Sequence, residues 1–167
     1  DFASFRNEIN PDLLYESLEN LILTLQHNVD QAEEQIDYLA GIYRHTLINR
    51  HKELLTLEEE LIAANHLLNL LNYRYENQLT LVSSVSDTTK IQVIPGSILV
   101  TVDAIIRNTL ISKKSPLEIR LYIEEGDEYL TLQHNINDRL LLHQESLNAF
   151  TRLKRSYSFF SENPFVQ

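Results

Sequence analysis

Near its beginning the chain reads Ile9-Asn10-Pro11-Asp12-Leu13-Leu14-Tyr15-Glu16-Ser17-Leu18. Proline has no backbone N–H and crowds the preceding turn, so a helix either begins or kinks at Pro11. The side chain of Asn10 can cap the next turn. The pattern therefore predicts a helix with Asp12 displayed at its break. Leucines at helical spacing predict an apolar face of about three turns: Leu14, Leu18, Leu21 and Leu25.

Two further helices are predicted before residue 78. Asp30 is expected to cap the second, with Glu33 completing a capping box. Thr56 is expected to cap the third, with Glu59 as its third helical residue. The second helix carries a predicted apolar stripe of Ile36, Leu39, Tyr43 and Leu47. Two such helices joined tightly form an antiparallel hairpin, and a dimer of hairpins forms a four-helix bundle.

Beyond residue 78 the pattern changes to short strands and helices. Gly126 lies in a predicted hairpin turn, where glycine can take a positive φ. The expected fold class is α+β, with helices packed on one side of a mixed sheet. The predicted elements are strands at 79–85, 117–124 and 129–135, a short segment at 91–94, and helices at 97–111 and 144–160.

The composition excludes several classes of function. The net charge of −10 argues against nucleic acid as a partner, because such binders need a surplus of Lys and Arg facing phosphate. The absence of cysteine excludes disulfides and thiolate chemistry. No apolar run approaches the ~20 residues of a membrane helix, and no signal peptide is present. The six histidines show no metal-binding spacing, so no metal site is expected.

The Asn-Pro segment resembles the dimerisation helix of the LytS/YehU-type sensor histidine kinases. The signature of that family reads Asn-Pro-His-Phe-Leu-Phe-Asn followed by Leu-Asn, and its histidine is the phosphoacceptor. Asp12 stands at the histidine position, and Glu16 and Glu19 stand at the two asparagine positions. Four residues match the signature as they stand: Asn10, Pro11, Leu14 and Leu18.

A second resemblance ties the hairpin to the rest of the chain. The third helix is similar to the family's Leu-x-x-Glu-Leu … Arg-Phe segment through Leu57, Glu60, Leu61, Leu67, Leu68, Leu70, Arg74 and Tyr75. The resemblance implies a dimerisation hairpin over 1–55 and a GHKL (Bergerat-type) ATPase-like sandwich over 56–167. The chain ends before the last strands of that sandwich, and either a truncation or a reduced domain accounts for this.

The same resemblance indicates where the nucleotide site is expected and which of the family's residues are replaced there. Asp103, Ala104 and Asn108 stand where the family has the Glu, the Mg²⁺-binding Asn and the His of Glu-Asn-Ala-x-x-His. Alanine offers no oxygen to Mg²⁺, which requires near-ideal oxygen coordination. His134 and Asn135 fit the adenine-recognising strand end loosely, and a polar exit from the strand is the favoured interpretation.

The segment equivalent to the glycine-rich phosphate loop runs over 143–148 and includes Asn148. It contains no glycine, although only glycine permits the close backbone approach to phosphate. We therefore expect no catalytic residue, and we expect the binding of ATP and Mg²⁺ to be lost.

Three functions are compatible with these patterns. The first is a degenerate histidine kinase, or pseudokinase, that acts as a dimeric signalling or scaffolding module. The alternative is an active protein histidine kinase with diverged ATP-binding boxes, and the third is a helical interaction protein without kinase ancestry. The expected partners are a second copy of the chain and either a response regulator or an active kinase. The chain starts at Asp1 without methionine, so the resemblance implies a cytoplasmic domain whose missing N-terminal part carries a sensor and membrane anchor.

Overall fold

A computed structural model describes residues 8–124, 126 and 129–136 of the 167-residue chain. These residues form an α+β arrangement, in agreement with the sequence. The predicted helix at 144–160 and the loop at 143–148 lie outside the described residues. The elements in chain order are α1 (Asp12–Leu25), α2 (Val29–Ile48), β1 (Leu55–Thr56), α3 (Leu57–Asn72), β2 (Leu79–Ser83), β3 (Gln92–Val93), α4 (Ser97–Arg107), β4 (Leu117–Ile123) and β5 (Leu130–His134).

Helix α1 begins directly after Pro11. Of the two predicted effects of the proline, the structure therefore shows the start of a helix. The backbone N–H of Asp12 donates to Asn10 Oδ1 at 2.9 Å, as the sequence predicts for a cap at Asn10. The predicted leucine stripe is divided between two faces. Leu21 is buried on an inner face with Leu13 and Ser17. The other three predicted residues are exposed: Leu14, Leu18 and Leu25.

The cap predicted for α2 was wrong. Asn28 has an extended backbone and its side chain accepts from the N–H of Gln31, so Asn28 is the N-cap. Asp30 lies inside the first turn, where its charge complements the positive end of the helix dipole. The inner face consists of Ala32, Gln35, Leu39 and Ile42, whereas Ile36 and Leu47 of the predicted stripe are exposed.

A buried polar contact joins α1 to α2. The side chain of Gln35 is 1% exposed. Its Oε1 accepts from Asn20 Nδ2 at 3.0 Å, and its Nε2 donates to Thr24 Oγ1 at 3.0 Å. Because both polar atoms of a buried amide are satisfied, this contact fixes the register of the two helices.

The capping box predicted for α3 is confirmed. The N–H of Glu59 donates to Thr56 Oγ1 at 3.2 Å, and Glu59 Oε2 accepts from the N–H of Thr56 at 2.9 Å. This reciprocal pair satisfies donors that the first turn of a helix leaves unpaired.

The strands form two sheets among the described residues. Strands β2 and β4 are parallel, β4 and β5 are antiparallel, and β4 lies in the centre. The short strands β1 and β3 pair antiparallel, a sheet that the sequence did not indicate. Gly126, between β4 and β5, has a φ of 91°, as predicted for the hairpin turn. Helices α3 and α4 contribute to one hydrophobic core with β2 and β4.

Helix α4 is shorter than the predicted 97–111. It ends at Arg107 because Asn108 has a φ of −96° and a ψ of 3°, and its side chain donates to the carbonyl of Ala104 at 2.9 Å. At the other end Gly96 is the N-cap, with a φ of 81° that favours glycine. A glycine N-cap offers no side chain to the first amides of the helix.

Glu60 of α3 supplies the missing cap of α4. Its side chain is 0% exposed. The carboxylate accepts from the N–H groups of Gly96, Ile98 and Leu99 at 2.8, 2.9 and 3.2 Å. His45 of α2 lies 2.8 Å away through its Nε2. A single carboxylate therefore joins three helices.

Replacing Glu60 with alanine should lower the free energy of unfolding by about 3–5 kcal/mol, because buried donors lose their acceptor. Glu58→Ala is the matched control, since Glu58 is exposed on the same first turn of α3. It should change stability by no more than about 0.5 kcal/mol. Urea unfolding followed by circular dichroism measures both. Equal effects of the two substitutions would contradict the role assigned to Glu60.

Candidate functional site

Glu16 of α1 contacts two arginines from other parts of the chain. Its Oε1 lies 3.3 Å from Arg107 Nη1 at the end of α4. Its Oε2 lies 3.4 Å from Arg74 Nη1, just after α3. Arg107 Nε also lies 3.1 Å from Asp103 Oδ2, one turn earlier on α4. We call Glu16, Arg74, Asp103 and Arg107 the acidic–basic cluster.

Two of the four side chains in the acidic–basic cluster are largely buried. The side chains of Arg107 and Asp103 are 11% and 6% exposed. Burial alone would lower the pKa of Arg107, but the charges of Asp103 and Glu16 and its hydrogen bonds to them raise it overall. The pKa of Tyr43 on α2 is raised by burial and by the charge of Asp103, so Tyr43 remains a neutral phenol.

Ala104 and Asn108, which the resemblance predicts at a nucleotide site, lie one turn apart at the C-terminal end of α4. Ala104 is 2% exposed and presents only a methyl group. Asn108 ends the helix through its bond to the Ala104 carbonyl. Within the described residues, no group of three or more His, Asp or Glu side chains is placed to hold a metal ion.

His134 and Asn135 lie at the end of β5, at the edge of the sheet. Asn135 Oδ1 accepts from the N–H of Glu118 at 2.8 Å, and its Nδ2 donates to the carbonyl of Pro116 at 2.8 Å. The side chain of Asn135 thus ties the end of β5 to the start of β4. Asn148 lies outside the described residues.

The structure joins some of the predicted site residues and not others. Glu16 and Asp103 meet through Arg107. Asp12 is half-buried at the start of α1, where its N–H is capped by Asn10. The polar contacts of Asn135 run to β4 and the residue before it, so they serve the sheet.

Sequence reasoning did not anticipate the roles of Glu60 and Arg107. Two signals were available. Glu60 falls at helical spacing with Leu57, Ala64 and Leu67, so a carboxylate stands on the apolar face of α3. Arg107 follows Asp103 by four residues, the spacing of a helical ion pair.

Part of the chain is similar to a known protein family. Residues 1–79 of the 167-residue chain match the family model described as "Histidine kinase". The match covers α1, α2 and α3 with the start of β2. It supports a histidine kinase family and, with it, a histidine-kinase-like signalling protein. No curated protein matches the chain. Across the described ranges, no helix is both long enough and apolar enough to cross a membrane.

Replacing Glu16 with glutamine should lower the free energy of unfolding by about 1 kcal/mol, because the ion pair with the largely buried Arg107 is lost. Glu19→Gln is the control, since Glu19 is exposed one turn away on α1. It should change stability by less than about 0.5 kcal/mol. Urea titrations in low and high salt measure both effects. The difference between them should shrink in salt, and its absence at low salt would contradict the assigned ion pair.

Proposed function

We propose that the protein is a non-catalytic relative of sensor histidine kinases: a dimerising helical hairpin joined to a GHKL-type domain that does not bind ATP. The match over residues 1–79 supports kinase ancestry. The resemblance of the α4 segment to the nucleotide-binding helix supports the GHKL assignment of the region after residue 55. The division at residues 55 and 56 remains part of this proposal.

One observation carries the non-catalytic assignment. At the position equivalent to the family's Glu, the carboxylate of Asp103 is bound by Arg107, and at the position equivalent to the Mg²⁺-binding Asn, Ala104 has no side-chain oxygen. Mg²⁺ needs several oxygen ligands in near-octahedral geometry. Recruiting Asp103 would first require its ion pair with Arg107 to break in a buried position, which is costly.

The position equivalent to the phosphoacceptor histidine also supports a non-catalytic role. A histidine kinase needs an imidazole nitrogen as nucleophile. Asp12 is a carboxylate, and it repels an incoming phosphate. Glu16, one turn along, adds a second negative charge and is already engaged with Arg107 and Arg74.

The exposed apolar face of α1 supports the dimer. Isolated exposed leucines are ordinary, but a continuous apolar face on one helix marks an interaction surface. On α1 Leu18 is 45% and Ile22 is 60% exposed, one turn apart. The face continues with Leu14 and Leu25. A second copy that packs its α1 against this face would complete a four-helix bundle. We propose a response regulator or an active kinase as a further partner. We also propose that the chain is part of a membrane-anchored protein.

The protein is expected to show no ATP·Mg²⁺ binding in calorimetry and no self-labelling with radioactive ATP. Asp12→His alone should not restore labelling, because the nucleotide site is lost separately. The catalytic domain of an active histidine kinase, supplied in trans, should label Asp12→His and leave an Asp12→Asn control unlabelled. Micromolar ATP affinity in the unaltered protein would overturn the proposal and favour an active kinase with diverged boxes.

Ile22→Glu should weaken the dimer by roughly a hundredfold, because each copy would bury an unpaired charge in the bundle. Ile62→Glu is the matched control, since Ile62 on α3 is 53% exposed against 60% for Ile22. Analytical ultracentrifugation over a concentration series measures both. Leu21 is unsuitable for this test because it is buried within the chain. Equal dissociation constants for the two variants would show that α1 is not the interface.

A further inference from the structure

The two arginines of the acidic–basic cluster are each held in place by a side chain other than Glu16. Arg107 donates from Nε to the two carboxylate oxygens of Asp103, at 3.2 and 3.1 Å. Arg74 donates from Nη2 to the hydroxyl of Tyr75 at 3.0 Å, and its guanidinium carbon lies 4.9 Å from the centre of the same ring. Stacking on an aromatic face and a charge-assisted hydrogen bond both restrict a guanidinium. The placement of the two arginines therefore does not depend on Glu16.

Glu16 accepts from a terminal nitrogen of each arginine. Nη1 of Arg107 lies 3.3 Å from one carboxylate oxygen, and Nη1 of Arg74 lies 3.4 Å from the other. Charge-assisted N–H···O bonds are normally about 2.7–2.9 Å long. Both contacts are longer than that, so Glu16 does not use the full hydrogen-bonding capacity of the two arginines.

Solvent reaches this contact. The side chains of Glu16 and Arg74 are 36% and 43% exposed, whereas that of Arg107 is 11% exposed. When the carboxylate of Glu16 turns into solvent, the place that it leaves is in contact with Nη1 of both arginines. An anion from solution can enter that place, because the carboxylate that fills it is itself accessible.

The charges of the cluster favour an anion in that place. Two guanidiniums and the carboxylate of Asp103 remain once Glu16 is set aside, so a surplus of positive charge is left. Asp103 is 6% exposed and bonds to Nε of Arg107, which leaves the terminal nitrogens of that arginine to an incoming group. A largely buried positive charge is costly without a negative partner.

We propose that Arg74 and Arg107 bind the phosphate group of an external ligand in the place that the carboxylate of Glu16 otherwise fills. A phosphate group offers three strong acceptor oxygens, and arginine side chains bind it through paired N–H groups. Glu16 is then an internal competitor, and binding of the ligand frees α1 from the arginines that follow α3 and end α4. The inference goes beyond the proposed signalling function and does not depend on it, because it rests on the contacts of the acidic–basic cluster alone.

Competition with Glu16 gives the site a signature that a purely stabilising ion pair lacks. Glu16→Gln should bind inorganic phosphate roughly tenfold more tightly than the unaltered protein, because a negatively charged competitor is removed. Glu19→Gln is the matched control, since it removes the same charge from an exposed position on the same helix. It should leave the phosphate affinity unchanged within about twofold.

Backbone amide shifts in NMR titrations measure these affinities. Phosphate replaces chloride at constant ionic strength, because added salt alone screens the ion pairs. The shifts that phosphate causes should centre on Glu16, Arg74 and Arg107.

Arg74 tests the site from the side of the donors. Arg74→Gln, added to Glu16→Gln, should remove the gain in phosphate affinity. The chain should still fold, since Arg74 is 43% exposed. Arg44→Gln in place of Arg74→Gln is the control, because Arg44 is an exposed arginine on α2 outside the acidic–basic cluster.

Two probes distinguish the source of the phosphate group. Inorganic phosphate carries the group alone, and a three-residue peptide with a central phosphoserine carries it on a protein side chain. Tighter binding of the peptide supports the proposal with a phosphorylated protein as the ligand. Equal or tighter binding of inorganic phosphate supports it with a free phosphate ion or a small phosphate ester as the ligand.

Tighter phosphate binding in Glu16→Gln that Arg74→Gln abolishes and Arg44→Gln leaves in place supports the proposal. If Glu16→Gln fails to fold, phosphate shifts in the unaltered protein that are lost in Arg74→Gln and kept in Arg44→Gln support it as well. Equal phosphate affinities of Glu16→Gln and Glu19→Gln overturn the proposal. So do shifts that chloride produces equally, or phosphate binding that Arg74→Gln does not weaken.

Discussion

A carboxylate with no exposed surface sets the constraint on which this structure depends. Glu60 cannot be buried as an anion unless donors surround it. Gly96, Ile98 and Leu99 donate from the backbone, and His45 donates from α2. The free amides at the start of α4 are thereby satisfied from another helix. Pro95 and Gly96 lie in the turn before α4, and this turn directs the first amides of α4 towards Glu60 of α3.

A second polar connection lies at the opposite end of the same helix. Arg107 closes α4 and bonds to Asp103 on its own helix and to Glu16 on α1. Helix α4 is therefore tied to α2 and α3 at its start and to α1 at its end. Between these two ends it is almost wholly buried. A displacement of the hairpin changes the surroundings of α4 at both ends.

A cavity of about 600 Å³ and the acidic–basic cluster lie in different places around α4. The cavity includes the turn at Gly96, and the cluster includes Arg107. Apolar contacts dominate the cavity, whereas paired charges dominate the cluster. The charges of Glu16 and Asp103 are thus engaged in ion pairs within the chain.

Local signals in the sequence were the most informative ones. The capping box at Thr56 and the turn at Gly126 depend on residues within a few positions of each other, and both were predicted. The cap at Asn28 was missed because Asp30 offered a similar side chain two residues later. Spacing alone placed Leu21 with Leu18, but only packing against the rest of the chain decides which leucines face inward. The partners of Glu60 and Glu16 lie far away in the chain, so no local pattern could name them.

Through Glu60, α4 should belong to the same cooperative unit as α3. Native-state hydrogen exchange of individual amides tests it most directly. The amides of Ile98 and Leu99, which donate to Glu60, should exchange only through global unfolding. Their opening free energies should then equal those of the core amides of α3, such as Leu67 and Leu68. Exchange of Ile98 and Leu99 through a local opening of lower free energy, with α3 still protected, would contradict the claim.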